Sequence, residues 1–376
     1  MQSTRYIWQS KKWPKLVWNN SLLLRLLGEC RLKQGKLLAQ ISSLGLPYEQ
    51  QAHADVLFQE AMTTSAIEGE RLDPPSVRSS IARKLGLPSA GLRVDHYTDG
   101  LIDILLDASQ KYRGSLTKKR LFGWHAALFP TGYSGLHKIR VGQWRGPEPM
   151  RVVSGKAGRE IIHYEALPFD KVEAEMGLFL KWWQESAGKI DGIIRAAVAH
   201  FRFLTIHPFE DGNGRIARAL TDMALAQDDR QPQRYYSLSS QINAERESYY
   251  AVLEQSQKGD VDITAWLQWF LGCLSRGIET SEKLMAIVLA KAAFWYRNSQ
   301  TQLTDRQRKV INKLLDAGEG NFTGGLTNRK YASMAKVSRA TATRELQYLL
   351  DMGVLKHNPG KGRSTSYDLE WGTKER

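Results

Sequence analysis

Residues 207–218 read HPFEDGNGRIAR, and this stretch lies between two apolar segments of helical character. Upstream, residues 193–206 (IIRAAVAHFRFLTI) are a long apolar run of good helix formers, which predicts a buried helix. Pro208 is expected to end that helix, because the residue before a proline is disfavoured in the helical conformation. Downstream, residues 216–226 (IARALTDMALA) predict a second helix. The stretch therefore predicts a helix–loop–helix unit inside an apolar core.

The loop of this unit carries residue types that bind phosphate. Gly212 and Gly214 allow positive backbone dihedrals and the close approach of a ligand. The first turn of the following helix offers N–H groups that have no partner within the helix. Arg215 and Arg218 lie three residues apart, so they share a helical face near that end. Both can donate two parallel hydrogen bonds to phosphate oxygens.

Two further side chains suit chemistry on a bound phosphate. Asp211 could ligate Mg²⁺, which prefers carboxylate and phosphate oxygens. His207 could accept a proton, because a histidine titrates near neutral pH. A lone His-Pro or Gly-Asn-Gly is typical of a helix end or a turn, but together these residues favour a site for a nucleoside triphosphate. The sequence has no Walker-type Gly-x-x-x-x-Gly-Lys-Ser/Thr loop, so the nucleotide is not expected to be held in that way.

The same residues match a family motif without a departure. The chain resembles the Fic family, whose motif is His-x-Phe-x-(Asp/Glu)-Gly-Asn-Gly-Arg-x-x-Arg. Enzymes of this family commonly transfer AMP from ATP to a Ser, Thr or Tyr hydroxyl of a protein. The resemblance implies a mainly α fold, with a Fic-type helical core and a small β-hairpin flap. It also implies ATP and Mg²⁺ as substrate and cofactor.

The resemblance assigns a role to each motif position. His207 would be the base for the target hydroxyl, Phe209 would anchor the loop in the core, and Asp211 would hold Mg²⁺ on the α- and β-phosphates. The remaining positions would bind phosphate: an anion hole from Gly212, Asn213 and Gly214, and contacts to the outer phosphates from Arg215 and Arg218.

A second motif lies near the N-terminus. Thr64, Glu68 and Gly69 match the pattern (Ser/Thr)-x-x-x-Glu-(Gly/Asn), which self-regulating Fic proteins carry. A glutamate before a glycine is also an ordinary helix end, so the pattern has meaning only beside the intact Fic motif. Its position resembles the subclass in which an inhibitory helix precedes the core on the same chain.

The two motifs together predict autoinhibition. Residues 52–67 can form a helix that Gly69 stops, and Glu68 would then form a two-pronged ion pair with Arg218. The resemblance implies that Arg218 reaches the γ-phosphate, so ATP could bind only with its phosphates out of line. A coupling of a few kcal/mol is enough to silence an enzyme. We therefore expect an autoinhibited protein adenylyltransferase that modifies protein targets, including itself.

Composition bounds the class of protein. The 376 residues are 42% hydrophobic, helix formers dominate and strand-like alternation is scarce, which indicates two or three mostly helical domains. The net charge of +14 suits an anionic partner such as a nucleotide, a nucleic acid or an acidic protein. Cys30 and Cys273 suggest no disulfide framework. We find no signal peptide and no bilayer-length apolar run, so we expect a cytoplasmic protein with no membrane partner.

Three segments are expected. Residues 1–92 would be an N-terminal helical segment with the inhibitory helix, residues 93–295 the Fic catalytic core, and residues 302–376 a winged helix-turn-helix domain.

Within the core, residues 136–153 and 159–164 break the helical pattern and flank a Gly-rich turn. Fic proteins carry a flap here that adds an extended target segment to a hairpin. The candidate flap residues are Ile162, His163 and Tyr164, although an ordinary hairpin explains them as well.

Three side chains near the motif can each be interpreted in two ways. Fic proteins place a Tyr-Tyr pair beside the adenine, and Tyr249 and Tyr250 match that pair, since an aromatic face can stack on a base. Core packing explains both tyrosines almost equally. His200 lies two helical turns before His207, but with no His-Glu-x-x-His and no nearby cysteine a buried, hydrogen-bonded histidine is the better interpretation than a zinc ligand.

The C-terminal segment is basic, with 14 Lys and Arg against 8 Asp and Glu in residues 301–376. Helices are predicted at residues 305–317, 328–335 and 339–352, with Ser338 capping the last, and strands follow. Side chains that could reach DNA lie on the last helix and on the wing: Arg339, Thr341, Thr343, Arg344, Lys361 and Arg363. The alternative is a winged helix that binds protein.

Two classes of function therefore compete. One is the adenylyltransferase, and the other is a DNA-binding transcriptional regulator that uses the Fic core as a nucleotide sensor. The intact His207 favours the transferase, since a sensor needs no base. A de-AMPylating hydrolase, with Glu68 positioning water, is a third alternative. Homodimerisation could regulate access to Glu68.

Overall fold

The computed structural model describes residues 6–42, 46–88, 94–154, 161–359 and 365–372, and most of them are helical. The helices are α1 (Asn20–Ser42), α2 (Leu46–Ile67), α3 (Pro74–Leu85), α4 (His96–Gln110), α5 (Lys118–Leu128), α6 (Phe169–Ser186), α7 (Gly192–Ile206), α8 (Asn213–Asp229), α9 (Leu238–Ala244), α10 (Arg246–Gln257), α11 (Thr264–Arg297), α12 (Asp305–Ala317), α13 (Asn328–Ala335) and α14 (Arg339–Asp351). The strands are β1 (Tyr133–Ser134), β2 (His137–Lys138), β3 (Arg151–Ser154), β4 (Ile161–Glu165), β5 (Leu355–His357) and β6 (Tyr367–Leu369). The predicted mainly α fold is confirmed.

The chain divides into two compact units. The first comprises residues 1–40 and 50–281, and the second comprises residues 41–49 and 282–376. The first unit thus spans most of the two segments that were expected up to residue 295. The three-segment organisation itself stays a prediction.

Helices α7 and α8 form the centre of the first unit. Asp191 caps α7 by accepting the N–H of Ile193 at 2.9 Å, and every residue from Ile193 to Ile206 is buried. The helix ends at Ile206, and His207 has a left-handed backbone with φ +50°. The helix therefore ends where the sequence predicts, just before Pro208.

The loop between α7 and α8 reverses the chain at Gly212. Gly212 has φ +78°, which favours glycine. Gly214 lies inside α8 with helical geometry, so the positive dihedral that a glycine allows is used at Gly212 and not at Gly214. Glycine there has another cause, the close approach of a carboxylate described below.

Helix α2 ends where the second motif begins. After Ile67 the chain turns at Gly69, whose φ is +82°. The N–H groups of Glu68 and Glu70 both donate to Ser65 O at 3.0 Å. These bonds hold the segment after the helix against the last turn of α2, and they fix the directions in which the two glutamates leave the backbone.

The strands form separate two-stranded antiparallel hairpins. In the first unit β1 pairs with β2, and β3 pairs with β4 with an irregularity between Val152 and Val153. Residues 139–150, within the region that breaks the helical pattern, form no strand. The N–H of Arg145 donates to Pro208 O at 2.8 Å, and those of Arg140 and Gly146 donate to the carboxylate of Glu210 in the loop after α7. Most of the predicted Gly-rich turn, residues 155–160, lies outside the described residues.

The second unit has its own apolar core, built by α12, α13, α14 and the β5–β6 hairpin. Val310, Leu314, Leu346, Leu355 and Leu369 are among its buried residues. Ser338 accepts the N–H of Thr341 at 3.2 Å, which is the predicted cap of α14. Three helices followed by a hairpin are the elements of a winged helix, and that assignment stays a prediction. Within the described ranges, no helix combines the length and apolar character that crossing a bilayer requires.

Candidate active site

His207 lies at the C-terminal end of α7, half-buried above the loop. Its Nδ1 lies 3.2 Å from Leu204 O, so Nδ1 carries the hydrogen and donates to that carbonyl, and the lone pair is on Nε2. Burial lowers the pKa of His207 to about 4. The imidazole is therefore neutral near pH 7, in the form that can accept a proton at Nε2.

His200, two helical turns before His207 on α7, is fully buried and hydrogen-bonded, as predicted. Thr221 donates its hydroxyl to Ala217 O at 2.8 Å, so it accepts from Nδ1 of His200 at 2.9 Å. Nε2 then accepts from the hydroxyl of Tyr249, also at 2.9 Å. Burial lowers the pKa of His200 to about 3. Both ring nitrogens therefore make hydrogen bonds within the core.

Phe209 ties the loop to the core through a histidine that the sequence did not single out. Its ring is fully buried and stacks on His125, with centroids 4.2 Å apart and planes at 13°. Gly142 N–H donates to Nδ1 of His125 at 3.1 Å, so Nε2–H donates to Asp211 O at 3.2 Å. Burial lowers the pKa of His125 to about 4. Nothing in the local sequence around His125 signals this role.

Asn213 closes the loop from within. Its Oδ1 accepts the N–H of Phe209 at 3.0 Å and its Nδ2 donates to Phe209 O at 2.8 Å. The family resemblance assigned Asn213 to an anion hole, but both polar atoms of its side chain bond the backbone of Phe209. Only its backbone, in the first turn of α8, remains for that role.

Arg145 is a second loop-holding residue that sequence reasoning missed. Its side chain is buried, and burial lowers its pKa. Nε donates to His207 O at 2.9 Å, and the backbone N–H donates to Pro208 O at 2.8 Å. The chain before β3 therefore holds the backbone of His207 and Pro208.

Arg218 and the end of α2 meet as the second motif predicts, with a different geometry. Nη2 donates to Glu68 Oε1 at 2.7 Å and to Thr64 O at 2.9 Å, while Nε donates to Thr64 Oγ1 at 2.6 Å. The ion pair is therefore one-pronged, and the predicted two-pronged pair is wrong, because only Nη2 donates to Glu68 while Nε donates to Thr64. Nη1 of Arg218 is buried and has no hydrogen-bond partner among the described residues.

Gly214 allows this contact. A Cβ at that position would lie 2.1 Å from Glu68 Oε1 and 3.2 Å from Arg218 Nη1. The carboxylate of Glu68 thus lies directly against the backbone at the start of α8. That is the place where the N-terminus of a helix binds anions.

Arg215 holds a carboxylate as well. Its Nη1 lies 3.0 and 2.9 Å from the two oxygens of Glu70 and donates to the Tyr97 hydroxyl at 2.5 Å. Its Nη2 lies 3.4 Å from Asp211 Oδ1. The side chain is 1% exposed, and Nε has no partner among the described residues. Sequence reasoning missed Glu70 and Tyr97.

Asp211 is an accessible acid of the loop, with a side chain 40% exposed. It accepts from the Ser134 hydroxyl and from Gly212 N–H. The described residues contain no cluster of three or more His, Cys, Asp or Glu suited to a metal. One accessible carboxylate nevertheless fits Mg²⁺, which commonly keeps several waters and binds through one or two carboxylates and the phosphates of a substrate.

The two tyrosines predicted to lie beside the adenine differ in burial. Tyr249 is 2% exposed and hydrogen-bonded to His200, so it is a core residue and cannot present its face to a base. Tyr250 is 37% exposed, and its hydroxyl lies 3.4 Å from Ile67 O at the end of α2. Only Tyr250 keeps an accessible ring.

The predicted flap residues also divide. Ile162 on β4 is 44% exposed. His163 lies 2.7 Å from Glu254 of α10, and Tyr164 is buried with its hydroxyl donating to Thr205 O at 2.7 Å. The buried Tyr164 fixes β4 to α7, so target contacts would have to come from Ile162 and the backbone.

In the second unit, Arg339 and Arg344 of α14 are exposed. The Thr341 hydroxyl lies 3.0 Å from the Ser338 hydroxyl, and the Thr343 hydroxyl donates to Arg339 O at 3.0 Å. The two threonines therefore already have local partners. Lys361 and Arg363 lie outside the described residues.

Comparisons with known families place this site inside a matched segment. Residues 115–225 match the model of the Fic/DOC family. Residues 6–87 match a model described as a domain of unknown function, DUF4172. The first segment contains α7, the loop and most of α8, and the second contains α2 with its glutamates.

Individual relatives agree with the first match. The chain is 26% identical over 251 residues to protein adenylyltransferase Fic of Nematostella vectensis, covering 66% of this chain and 53% of that protein. It is 30% identical over 266 residues to protein adenylyltransferase fic-1 of Caenorhabditis briggsae, covering 69% and 47%. The chain thus spans about half the length of these curated relatives. A crystal structure of a Fic family protein from Desulfovibrio desulfuricans superposes with a TM-score of 0.56 at 18% identity, over 94% of this chain and 97% of that one, which is a likeness of fold.

Proposed function

Because this chain carries a Fic/DOC-family domain over residues 115–225, we propose that it is an autoinhibited protein adenylyltransferase. It transfers AMP from ATP to a hydroxyl of a protein, its own chain included. The observation that carries the proposal is a pair of buried donors, Nη1 of Arg218 and Nε of Arg215, for which the described part of the chain supplies no acceptor. Buried donors without acceptors are costly, and phosphate oxygens at the start of α8 would satisfy them.

The reaction follows from the positions of the side chains. Nε2 of His207 takes the proton of the target hydroxyl, whose oxygen attacks the α-phosphorus of ATP. A bond forms between that oxygen and phosphorus, the bond to the bridging oxygen of the β-phosphate breaks, and pyrophosphate leaves. Asp211 is the residue that would hold Mg²⁺, which supplies neutralisation of phosphate charge when bound.

Catalysis of this kind depends on positioning more than on covalent help from the protein. Arg145 and Asn213 hold the backbone on either side of the loop, at His207 and at Phe209. Phe209 and His125 fix the loop to the core. The base and the phosphate-binding helix therefore keep one relative position before the nucleotide arrives.

Autoinhibition is part of the proposal. The carboxylate of Glu68 occupies Arg218 and lies against Gly214. An arriving γ-phosphate must replace it or settle elsewhere. The resting enzyme is therefore expected to transfer AMP slowly.

Incubation with ATP labelled on the α-phosphate tests the proposal. We expect little covalent label on the wild type, strong label on Glu68→Gly, and none above background on Glu68→Gly combined with His207→Ala. Glu185→Gln, which changes an exposed acid of α6, is the matched control and should behave as the wild type. Unlabelled Glu68→Gly at saturating Mg-ATP would overturn autoinhibition, and label that persists without His207 would overturn the role of the base.

The same samples separate transfer from removal. If the natural activity is de-AMPylation, wild-type protein should release AMP from labelled Glu68→Gly protein, and Glu68→Gly should not. Stable label in the presence of the wild type supports transfer as the activity of this chain.

A second candidate function rests on the second unit. Two exposed arginines, Arg339 and Arg344, lie on α14, the last helix before the β5–β6 hairpin. We propose that this face binds DNA through phosphate contacts. Duplex affinity should then fall steeply with salt, and Arg339→Ala with Arg344→Ala should reduce both the affinity and the salt slope. Affinity that does not depend on salt would exclude this function.

A further inference from the structure

A second acidic residue of the α2 end holds the other motif arginine. Glu70 places both carboxylate oxygens within 3.0 Å of Arg215 Nη1, and its side chain is 38% exposed while that of Arg215 is 1% exposed. The Tyr97 hydroxyl donates to Glu70 and accepts from Arg215. Three oxygen atoms from two side chains thus converge on one guanidinium nitrogen.

The two glutamates after α2 would be in an unfavourable position without the two motif arginines. Glu68 and Glu70 follow the C-terminus of α2, where the helix dipole disfavours negative charge. The turn at Gly69 directs one carboxylate to Arg218 and the other to Arg215. Each arginine therefore holds, in the resting state, an acid of this chain in place of an anion from solution.

We propose that Glu70 is a second inhibitory residue, which blocks Arg215 as Glu68 blocks Arg218, and that Tyr97 is the residue that positions it. This inference rests on the proposed adenylyltransferase function. Nucleotide phosphates must displace two carboxylates, one from each arginine. Removing Glu68 alone leaves the second block in place, so Glu68→Gly is only partly activated.

The release is confined to the segment after α2. Helix α2 itself is anchored by buried polar contacts two turns before its end. The Glu60 carboxylate accepts from the hydroxyl of Ser237 at 2.6 Å and from that of Ser239, and Ala61 and Ile67 are fully buried. Residues 68–70 can therefore move away from the arginines while α2 stays packed on the core.

Nucleotide binding tests the inference apart from catalysis. In a His207→Ala background, a non-hydrolysable ATP analogue with Mg²⁺ is titrated calorimetrically into variants with Glu68→Gly, Glu70→Gln, both, or Tyr97→Phe. We expect Glu70→Gln to lower Kd about fivefold or more, the scale of a single coupling, and to add to Glu68→Gly. Tyr97→Phe should act in the same direction by a smaller factor, and Glu185→Gln should leave Kd unchanged.

Transfer assays with His207 intact complete the test. Glu68→Gly/Glu70→Gln should show a lower KM for Mg-ATP than Glu68→Gly at similar kcat. A Kd that is unchanged or raised by Glu70→Gln would overturn the inference, and so would a fall in kcat, which would show that Arg215 needs Glu70. In either case, label on Glu68→Gly would still support the proposed function. A lower Kd without AMP transfer by any variant would support the second block and overturn the transferase.

Discussion

Oε1 of Glu68 lies 2.7 Å from Nη2 of Arg218, across 150 positions of sequence. The arginine side chain is 2% exposed and the glutamate 30% exposed. A buried cation needs a counter-charge, so the end of α2 is stabilised on α8 for as long as no other anion reaches Arg218. Under the proposed autoinhibition, this contact between α2 and α8 is also the one that a nucleotide must break.

Thr64 should share in this control. Its hydroxyl accepts from Arg218 Nε at 2.6 Å, and Thr64→Val keeps the shape but leaves Nε unsatisfied at a cost of about 1–3 kcal/mol. We expect AMP transfer to rise, by less than in Glu68→Gly, because Glu68 still holds Nη2. Labelled ATP measures the change. Thr63→Val is the control, since the Thr63 hydroxyl bonds carbonyls of its own helix, at Gln59 and Glu60. Equal label on both variants would contradict the role of Thr64.

Gly214→Ala should block the phosphate position. In the Glu68→Gly background the nearest obstacle is gone, yet the new methyl lies 3.2 Å from Arg218 Nη1, where the phosphate is proposed to bind. We expect nucleotide affinity to fall about tenfold or more with little loss of stability, since alanine suits a helix better than glycine. Gly177→Ala on α6, where a methyl meets nothing within 4 Å, is the matched control. Unchanged affinity in Gly214→Ala would show that phosphate binds elsewhere.

In the activated variant Glu68→Gly, kcat/KM should not fall near pH 6.5, the ordinary pKa of a histidine. Burial lowers the pKa of His207 to about 4, so the neutral, proton-accepting form persists as pH falls and is lost only near pH 4. Glu68 raises the pKa of His207, so Glu68→Gly moves the limb to lower pH still. Measured kcat/KM reports the free enzyme. A limb at the ordinary histidine pKa would mean that His207 is more solvated than the structure indicates.

His125→Ala should destabilise the first unit. The ring is fully buried against Phe209 and uses both nitrogens in hydrogen bonds. Its loss leaves a cavity and two unsatisfied backbone groups, which together cost about 2–4 kcal/mol. Urea denaturation measures the free energy of unfolding. His96→Ala, at an exposed position of α4, should change it by less than about 0.5 kcal/mol, and a similarly small effect of His125→Ala would contradict its packing role.

Much of the site could be predicted from the sequence because its parts are close together in the chain. The apolar run before Pro208 predicts α7, and the glycines and arginines after it predict an anion site at the start of α8. Such local patterns depend on backbone sterics and helix geometry alone. Glu68 could be found at a distance only because its own motif resembles a known regulatory pattern.

Other features were decided by tertiary packing alone. His125, Arg145, Glu70 and Tyr97 reach the loop from separate elements, and their residue types carry no local signal for it. Tyr249 matched an adenine pattern, but the packing of α10 on α7 buries it against His200. Arg218 meets both Glu68 and Thr64, and only one of its nitrogens donates to the glutamate. Local sequence determines which helices form and which charges they carry, whereas the partner of each buried charge depends on which helices pack together, since a buried polar group must find its partner across the core.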